Sequence, residues 1–513
     1  MNSGDNKIIQ EVKTKKSIFW DNLKKEKTLS LFRLATTQVP AYQNFLKSHK
    51  IKIESIKKAS DLASLPTTDK KNYLRKYSLC EVTTNGHLGK PLIFTSTSGS
   101  TGDPFYFHRS FELDWQASII HELFYLQGNY KKDEPVLVVV CFGMGIWIGG
   151  LITYQAFHLV QERGYNISLV TPGINKEEIF KSLKNLRASY KNIILVGYPP
   201  FIKDILNEGP ANGIDWHKFR VRLLFAAETF TESFREHVAT LIHSKNPLLD
   251  TMNIYGTADL GAMAFETPLA ILIRRLCANH KTLSELIFNN IKKTPTLCQY
   301  IPSFTAFDTD GENLLASGYN SIPLVRYSLG DHGGIYSFDE VVSKFSQTGL
   351  DLKREAKMAG IEDFWYELPF VYVYERDDFS IKLYGATIYP EHIREALQSV
   401  RLTPYLTGKF TLITKYDRKN NQYMEVNCEL KNGHKSSKAL NKKVKQLVIK
   451  KLLEKNAEYS NNFKSIPKKV EPHIVLWSHE HILYFKPGTK QKWVGLDAIL
   501  DKNSKKLIKA RHG

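Results

Sequence analysis

A chain of 513 residues is too long for one ordinary hydrophobic core and points to two to four structural units. Its composition, 42% apolar and 24% charged, is that of a folded chain, and no apolar run reaches the ~18 residues that a membrane-spanning helix needs. The net charge of +19 is unevenly spread: from Arg376 onward 28 Lys and Arg face 13 Asp and Glu, which puts +15 there and +4 elsewhere. Such a surplus suits a polyanion: a nucleotide, a phosphorylated thiol carrier, nucleic acid or an acidic membrane surface. A solvated Lys-rich face is the alternative. Lys442, Lys443, Lys445, Lys450, Lys451 and Lys455 share a helical pattern with Leu447, Val448, Leu452 and Leu453 turned the other way. The N-terminus is polar, without the apolar centre of a signal peptide. The five cysteines are scattered with no CxxC, so free thiols in a cytoplasmic setting are expected and a zinc site is not.

In chain order, residues 17–80 read as helices interrupted at Pro40, with Thr67 or Thr68 capping the segment that follows. Residues 91–200 alternate strand and helix. PLIF leads into a loop, FHRS opens a helical stretch, and PVLVVVCF, NISLV and NIILV are apolar strands separated by amphipathic helices. That alternation predicts a parallel sheet covered by helices, with ligands beyond the C-terminal strand ends. Phe142, Met144, Trp147 and Tyr198 fall there and are candidates for a substrate pocket, or for core. VRLLFAAETF is another strand, and residues 266–300 read as a helical insertion. From 313 the chain turns to β structure, with Asp331 in a Gly-rich turn. A charged break at 376 marks the domain boundary, ahead of further strands, a basic helix and the turn FKPGTKQKWV.

Three stretches carry chemistry. FTSTSGSTGDP (94–104) crowds hydroxyl side chains around Gly99 and Gly102. Inward-turned N–H groups and hydroxyls make such a loop a nest for phosphate oxygens, although a surface linker has the same composition. MNIYGTADLG places Tyr255, Gly256 and Asp259 just after an apolar segment. An aromatic there can stack on a purine and a carboxylate can hold Mg²⁺. Asp331 offers two acceptor oxygens that suit a ribose diol, against plain turn chemistry.

The order of these features resembles the adenylate-forming (AMP-binding) superfamily, and within it the phenylacetate–CoA ligase and coenzyme F390 synthetase branch. The resemblance runs through VPAYQNFL, SDLASLPTTDKKNYL, TSTSGSTGDP, AAETF, NIYGTADLG, LVRYSLGDHG and ERDDFSIKLYGATIYPEHI. It implies an α/β protein. Residues 1–375 would form a large adenylation domain of helix-covered, mostly parallel sheet with a β subregion, including a helical leader over 17–80 and a nucleotide-binding core over 90–375. Residues 376–513 would form a small α+β lid. Thr97, Ser98, Gly99, Ser100, Thr101 and Gly102 would hold the phosphates of ATP, Glu228, Tyr255 and Gly256 would frame the adenine, and Asp331 would take the ribose. Asp259 would stand where the family has a Mg²⁺-associated Glu. Arg376 would follow the domain junction, Asp378 would be the hinge and Lys490 the catalytic lysine, with Lys492 its near competitor.

Some positions depart from the family pattern. Asp103 replaces the loop Lys, Ala258 replaces a hydroxyl residue, Asp259 is a methylene shorter than Glu, and Phe379 replaces the second hinge acid. The implied activity is ATP-dependent activation of a carboxylic acid, aromatic or apolar, through an acyl-adenylate. Acyl transfer would follow, to coenzyme A or, alternatively, to an amine, hydroxyl or protein acceptor. A degenerate, non-catalytic basic binding protein is the reading from another class. No stable nucleic-acid or membrane partner is expected.

Overall fold

The computed structural model describes residues 3–88, 93–96, 105–288, 295–374, 380–397, 399–417, 419–481, 483–485 and 494. Thr97, Ser98, Gly99, Ser100, Thr101, Gly102, Arg376, Asp378 and Lys490 therefore lie outside the described residues, as do Asp103, Phe379 and Lys492. The described residues divide into two compact units, one up to 374 and one from 380 onward.

The first unit opens with helix Ser3–Thr14, which pattern reading passed over, and continues with helices Ser17–Gln38 and Pro40–Ser48, separated where Val39 takes an extended conformation ahead of Pro40. A short hairpin follows, β1 (Ile93–Ser96) with β2 (Tyr106–Arg109). FHRS thus ends a strand, and the helix starts at Phe111 after Ser110. Next come β3 (Val136–Cys141), β4 (Ile167–Val170), β5 (Asn192–Gly197), β6 (Arg220–Ala226) and β7 (Thr251–Thr257), all parallel in the spatial order β7-β6-β5-β3-β4. Every residue of β3 and β5 is buried, as expected of central strands covered on both faces.

β8 (Gly261–Phe265), β9 (Thr296–Gln299), β10 (Thr305–Asp310), β11 (Asn313–Tyr319), β12 (Pro323–Tyr336) and β13 (Phe370–Tyr374) extend the same sheet with antiparallel pairing. The order β10-β11-β12-β13-β9-β8 continues directly into β7, so parallel and antiparallel halves form one sheet of 11 described strands. The segment 266–300 is thus more than a helical insertion. After helices Pro268–Asn279 and Lys281–Phe288 it returns as β9, in mid-sheet. Asp331 lies inside β12 and not in a turn: Gly330 takes φ +72° and the strand continues, pairing His332 with Tyr374. Pattern reading also passed over helices Glu232–Leu241, Phe338–Gln347 and Leu352–Met358.

The leader covers the antiparallel half. Phe32, Tyr42, Phe45 and Tyr73 share a core with Leu314, Leu324 and Tyr327. Neither Thr67 nor Thr68 is a helix cap. Thr68 pairs with β12 instead: its N–H donates to Arg326 O (3.2 Å) and its O accepts from Ser328 N (2.7 Å). Asp69 caps the next turn, accepting from Asn72 N at 2.6 Å.

In the second unit, β14 (Ile381–Leu383) and β15 (Ala386–Ile388) form a hairpin. Its turn residues Tyr384 and Gly385 both have positive φ, the twist that a two-residue hairpin needs. β16 (Leu406–Tyr416) runs antiparallel to β17 (Gln422–Leu430), which pairs in parallel with β18 (His473–Trp477) after a crossover through helix Lys438–Lys455. The chain is α/β in class. Among the described residues no helix is long and apolar enough to cross a membrane.

Candidate functional site

Four segments far apart in sequence converge where β7 leaves the parallel half of the sheet. β7 turns back on itself into β8, and Gly256 sits at the tightest point: a Cβ there would meet Gly261 O at 2.5 Å. Glycine is therefore required in the YGTADLG stretch by a backbone crossing. Just before it, Tyr255 is half-buried, stacks on Phe307 with ring centroids 6.1 Å apart, and donates its hydroxyl to Asp331 Oδ2 at 2.7 Å. The partners of that bond are 76 residues apart and come from β7 and β12. The structure thus joins two of the residues that the sequence singled out.

On the other side of the turn, Asp259 is buried and faces Lys70 Nζ at 3.1 Å. Lys70 comes from the leader. Thr68 is zipped onto β12 two residues earlier, which fixes where Lys70 emerges, and the ammonium also lies 5.7 Å from the Phe107 ring. The main-chain oxygen of Asp259 accepts from Asn320 Nδ2, so both ends of the residue are held. A buried carboxylate already facing an ammonium is a poor direct ligand for a divalent cation. Among the described residues no group of three or more His, Cys, Asp or Glu could hold a metal. In this structure the Asp259 carboxylate faces the Lys70 ammonium, and no step below runs through Mg²⁺.

Glu228 lies just past the C-terminal end of β6 and is buried. Its main-chain oxygen accepts from Asn253 Nδ2 at 3.2 Å, which ties this end of β6 to β7. The neighbouring Ala227 has φ +74°, a left-handed conformation that costs a residue with a Cβ on the order of 1 kcal/mol. Strain of this kind collects at the ligand end of parallel strands.

The hairpin β1–β2 brackets residues 97–104, and its stems are anchored on both sides. Ser96 N donates to Ile146 O at 3.0 Å. Ser321, with φ +93°, donates Oγ to His108 O at 2.9 Å and also meets His108 Nδ1. Burial pulls His108 down to about 4, so its ring is neutral near pH 7. Next to it Arg109 and Asp114 form a buried pair at 2.6 Å. Burial pushes Asp114 up to about 6, outweighing the pull of Arg109.

The aromatic candidates divide. Phe142 is core, 1% exposed, and packs edge-on against Tyr198 with centroids 4.9 Å apart. Met144 and Tyr198 are half-buried against the same core and Trp147 is half-buried where its backbone bridges Ser96. Sequence reasoning missed Lys70, His108, Phe307, Asn320 and Ser321. Lone lysines and histidines carry no spacing signal, and only the β12 contacts of the leader bring Lys70 to Asp259.

No protein-family model matches the sequence, and no curated protein matches it. Among solved structures, 2-hydroxyisobutyryl-CoA ligase in complex with 2-HIB-AMP and CoA in the thioesterification state aligns with a TM-score of 0.63 at 11% identity, covering 98% of this chain and 94% of that one. The same ligase in the postadenylation state with 2-HIB-AMP gives a TM-score of 0.52 at 11% identity over the same shares. This chain has that fold. At such low identity the likeness speaks for the fold alone.

Proposed function

We propose that the chain is an AMP-forming ligase: it activates a carboxylic acid with ATP as an acyl-adenylate and passes the acyl group to coenzyme A. The observation that carries this reading is the hydrogen bond from Tyr255 to Asp331. It joins the aromatic and the carboxylate that the sequence assigns to adenine and ribose, on a fold shared with a ligase solved with an acyl-adenylate and CoA.

The chemistry follows from leaving groups. A carboxylate would have to expel oxide. Attack of its oxygen on the α-phosphorus of ATP instead forms a carboxyl–phosphate bond and breaks the α–β bridge, releasing pyrophosphate. The thiolate of coenzyme A then attacks the acyl carbon and AMP leaves. Charge gathers on the phosphoryl oxygens in the first step, and fixed cations and N–H groups lower that barrier. In this reading the loop from Thr97 to Gly102 holds the phosphates and Lys490 meets the developing charge. Lys70, oriented by Asp259, offers a partly exposed cation beside the end of β7, and the loop itself has Asp103 where a lysine is usual. Asp331 keeps one oxygen on Tyr255 and offers the carboxylate to the ribose hydroxyls. Glu228, Tyr255 and Gly256 frame the base. Arg376 and Asp378 serve the junction and hinge of a lid formed by residues 376–513. The half-buried Met144 and Tyr198 favour an apolar or aromatic acid, in keeping with the phenylacetate–CoA ligase branch. The reading carries a cytoplasmic location with it, where ATP and coenzyme A are both present.

Pyrophosphate release measured over a panel of carboxylic acids, with and without coenzyme A, tests this. Release with at least one acid, and thioester formation only when coenzyme A is added, is expected. Lys490→Ala should lower release by about 10²-fold or more while ATP still binds. No release with any acid would overturn the ligase reading, and full turnover without coenzyme A would overturn the acceptor.

A further inference from the structure

The helix Lys438–Lys455 buries Leu440, Val444, Val448 and Leu452, one side chain per turn, toward β18 and the helix Pro390–Leu397. At about 100° per residue, the opposite face centres on Gln446 and Leu453, with Lys442, Ile449 and Lys450 beside them. That face bears a shallow groove of about 400 Å³ lined by Gln446, Ile449, Lys450, Leu453 and Glu454, all from this one helix. Ile449 and Leu453 are half-buried there, yet no second element among the described residues lines the groove.

The helix carries seven lysines and one acidic residue. Several of these cations are answered within the unit. Lys445 meets Glu471 at 2.5 Å, Lys451 meets Glu454 at 3.0 Å, Lys450 lies 3.9 Å from the same Glu454, Lys455 meets Glu395 at 3.7 Å, and Lys443 lies 5.5 Å from the Tyr405 ring. Among the described residues no carboxylate pairs with Lys438, Lys442 or Lys443. The groove is therefore two aliphatic side chains beside the Lys450–Glu454 pair, with the exposed Lys442 on the same face and without a carboxylate partner among the described residues.

We propose that this face docks an acidic amphipathic helix of a partner protein, with apolar side chains on Ile449 and Leu453 and carboxylates on Lys438, Lys442 and Lys450. Charge complementarity selects that occupant. A second copy of this chain would bring the same surplus of lysine and be repelled. Nucleic acid binders interleave aromatic side chains or arginine for stacking, and this face has neither. Membrane-surface helices present a broad apolar face with aromatic anchors, and here two aliphatic residues stand alone. The proposal does not depend on the ligase reading, and its test reads binding, not turnover.

The test uses the full-length protein and fluorescence anisotropy with four probes. These are a labelled Glu/Leu peptide whose leucines share one helical face, a scrambled peptide of identical composition, oligouridylate RNA and phosphatidylserine vesicles. The amphipathic peptide should bind at least ~10-fold more tightly than the scrambled one, with affinity falling as salt rises. Lys442→Glu with Lys450→Glu should weaken binding about 10-fold or more. Ile449→Ser with Leu453→Ser should remove the preference over the scrambled peptide while circular dichroism stays unchanged. Equal binding of both peptides, tighter binding of RNA or vesicles, or indifference to the charge reversal would overturn the proposal. So would concentration-dependent dimerisation that the charge reversal abolishes.

Discussion

Strand β7 carries an ion-pair cluster at each end, and the two differ in what they leave open. At its start Glu266, wholly buried, accepts from Arg235 Nη2 at 2.8 Å on both oxygens and lies 3.3 Å from Arg274 Nη1. Glu232 bridges the same two arginines at 2.9 Å each and meets Arg275 at 3.1 Å. Arg235 also donates to Thr251 and Glu266 accepts from Asn253 N, so the network is knotted into β7 itself. At the far end Asp259 meets one ammonium, and the Lys70 side chain is 42% exposed. A closed network leaves no group for a ligand and serves the fold. A buried anion facing a half-exposed cation fixes one side of that cation and leaves the other to solvent.

Removing members of each cluster should separate the two roles. The largest effect is expected from Glu266→Ala, which leaves two buried guanidinium groups short of a counter-charge. A stability loss of about 3–5 kcal/mol should appear in the urea midpoint, and a loss under ~1 kcal/mol would mean the network is not what fixes β7. Lys70→Ala should cost about 1 kcal/mol or less in stability because the cation is partly solvated, yet lower pyrophosphate release by about 10–100-fold. The opposite pattern, a large midpoint shift with unchanged release, would make Lys70 a structural residue. Tyr255→Phe removes one hydrogen bond to Asp331. KM for ATP should rise about 5-fold with kcat little changed, and an unchanged KM would separate Asp331 from the nucleotide.

The closed network should also show itself in the pH response of stability. Burial works against the Glu232 carboxylate, but Arg235, Arg274 and Arg275 together hold it down at about 2. A folded value below the ordinary 4.5 means that this stabilisation is present above about pH 4.5 and is lost as pH falls toward 2. Denaturation midpoints should drop across that window, and Glu232→Gln should flatten the drop; identical slopes would remove Glu232 as its source.

Much of the architecture was legible because parallel strands announce themselves. VLVVVC and NIILVG are unbroken apolar runs, and only a strand covered on both faces needs them. The antiparallel half was harder to read. β9 is four residues long and follows two helices, and β12 passes through Gly330 and Gly333, which read as a turn when no partner strand is known. In the site, Tyr255, Gly256 and Asp331 stood out by residue type and local spacing. Lys70 did not, because its role rests on hydrogen bonds between Thr68 and β12, more than 250 positions away.

The parallel strands and the helices between them, the basic character of the C-terminal part and the identity of the polar residues at the strand ends were decided by local periodicity and composition, which a sequence displays directly. Which of those residues meet was decided only by folding. Side-chain hydrogen bonds and ion pairs act over about 3 Å, and the partners Tyr255–Asp331, Lys70–Asp259 and Ser321–His108 are brought within that reach by tertiary packing and not by neighbourhood in the chain.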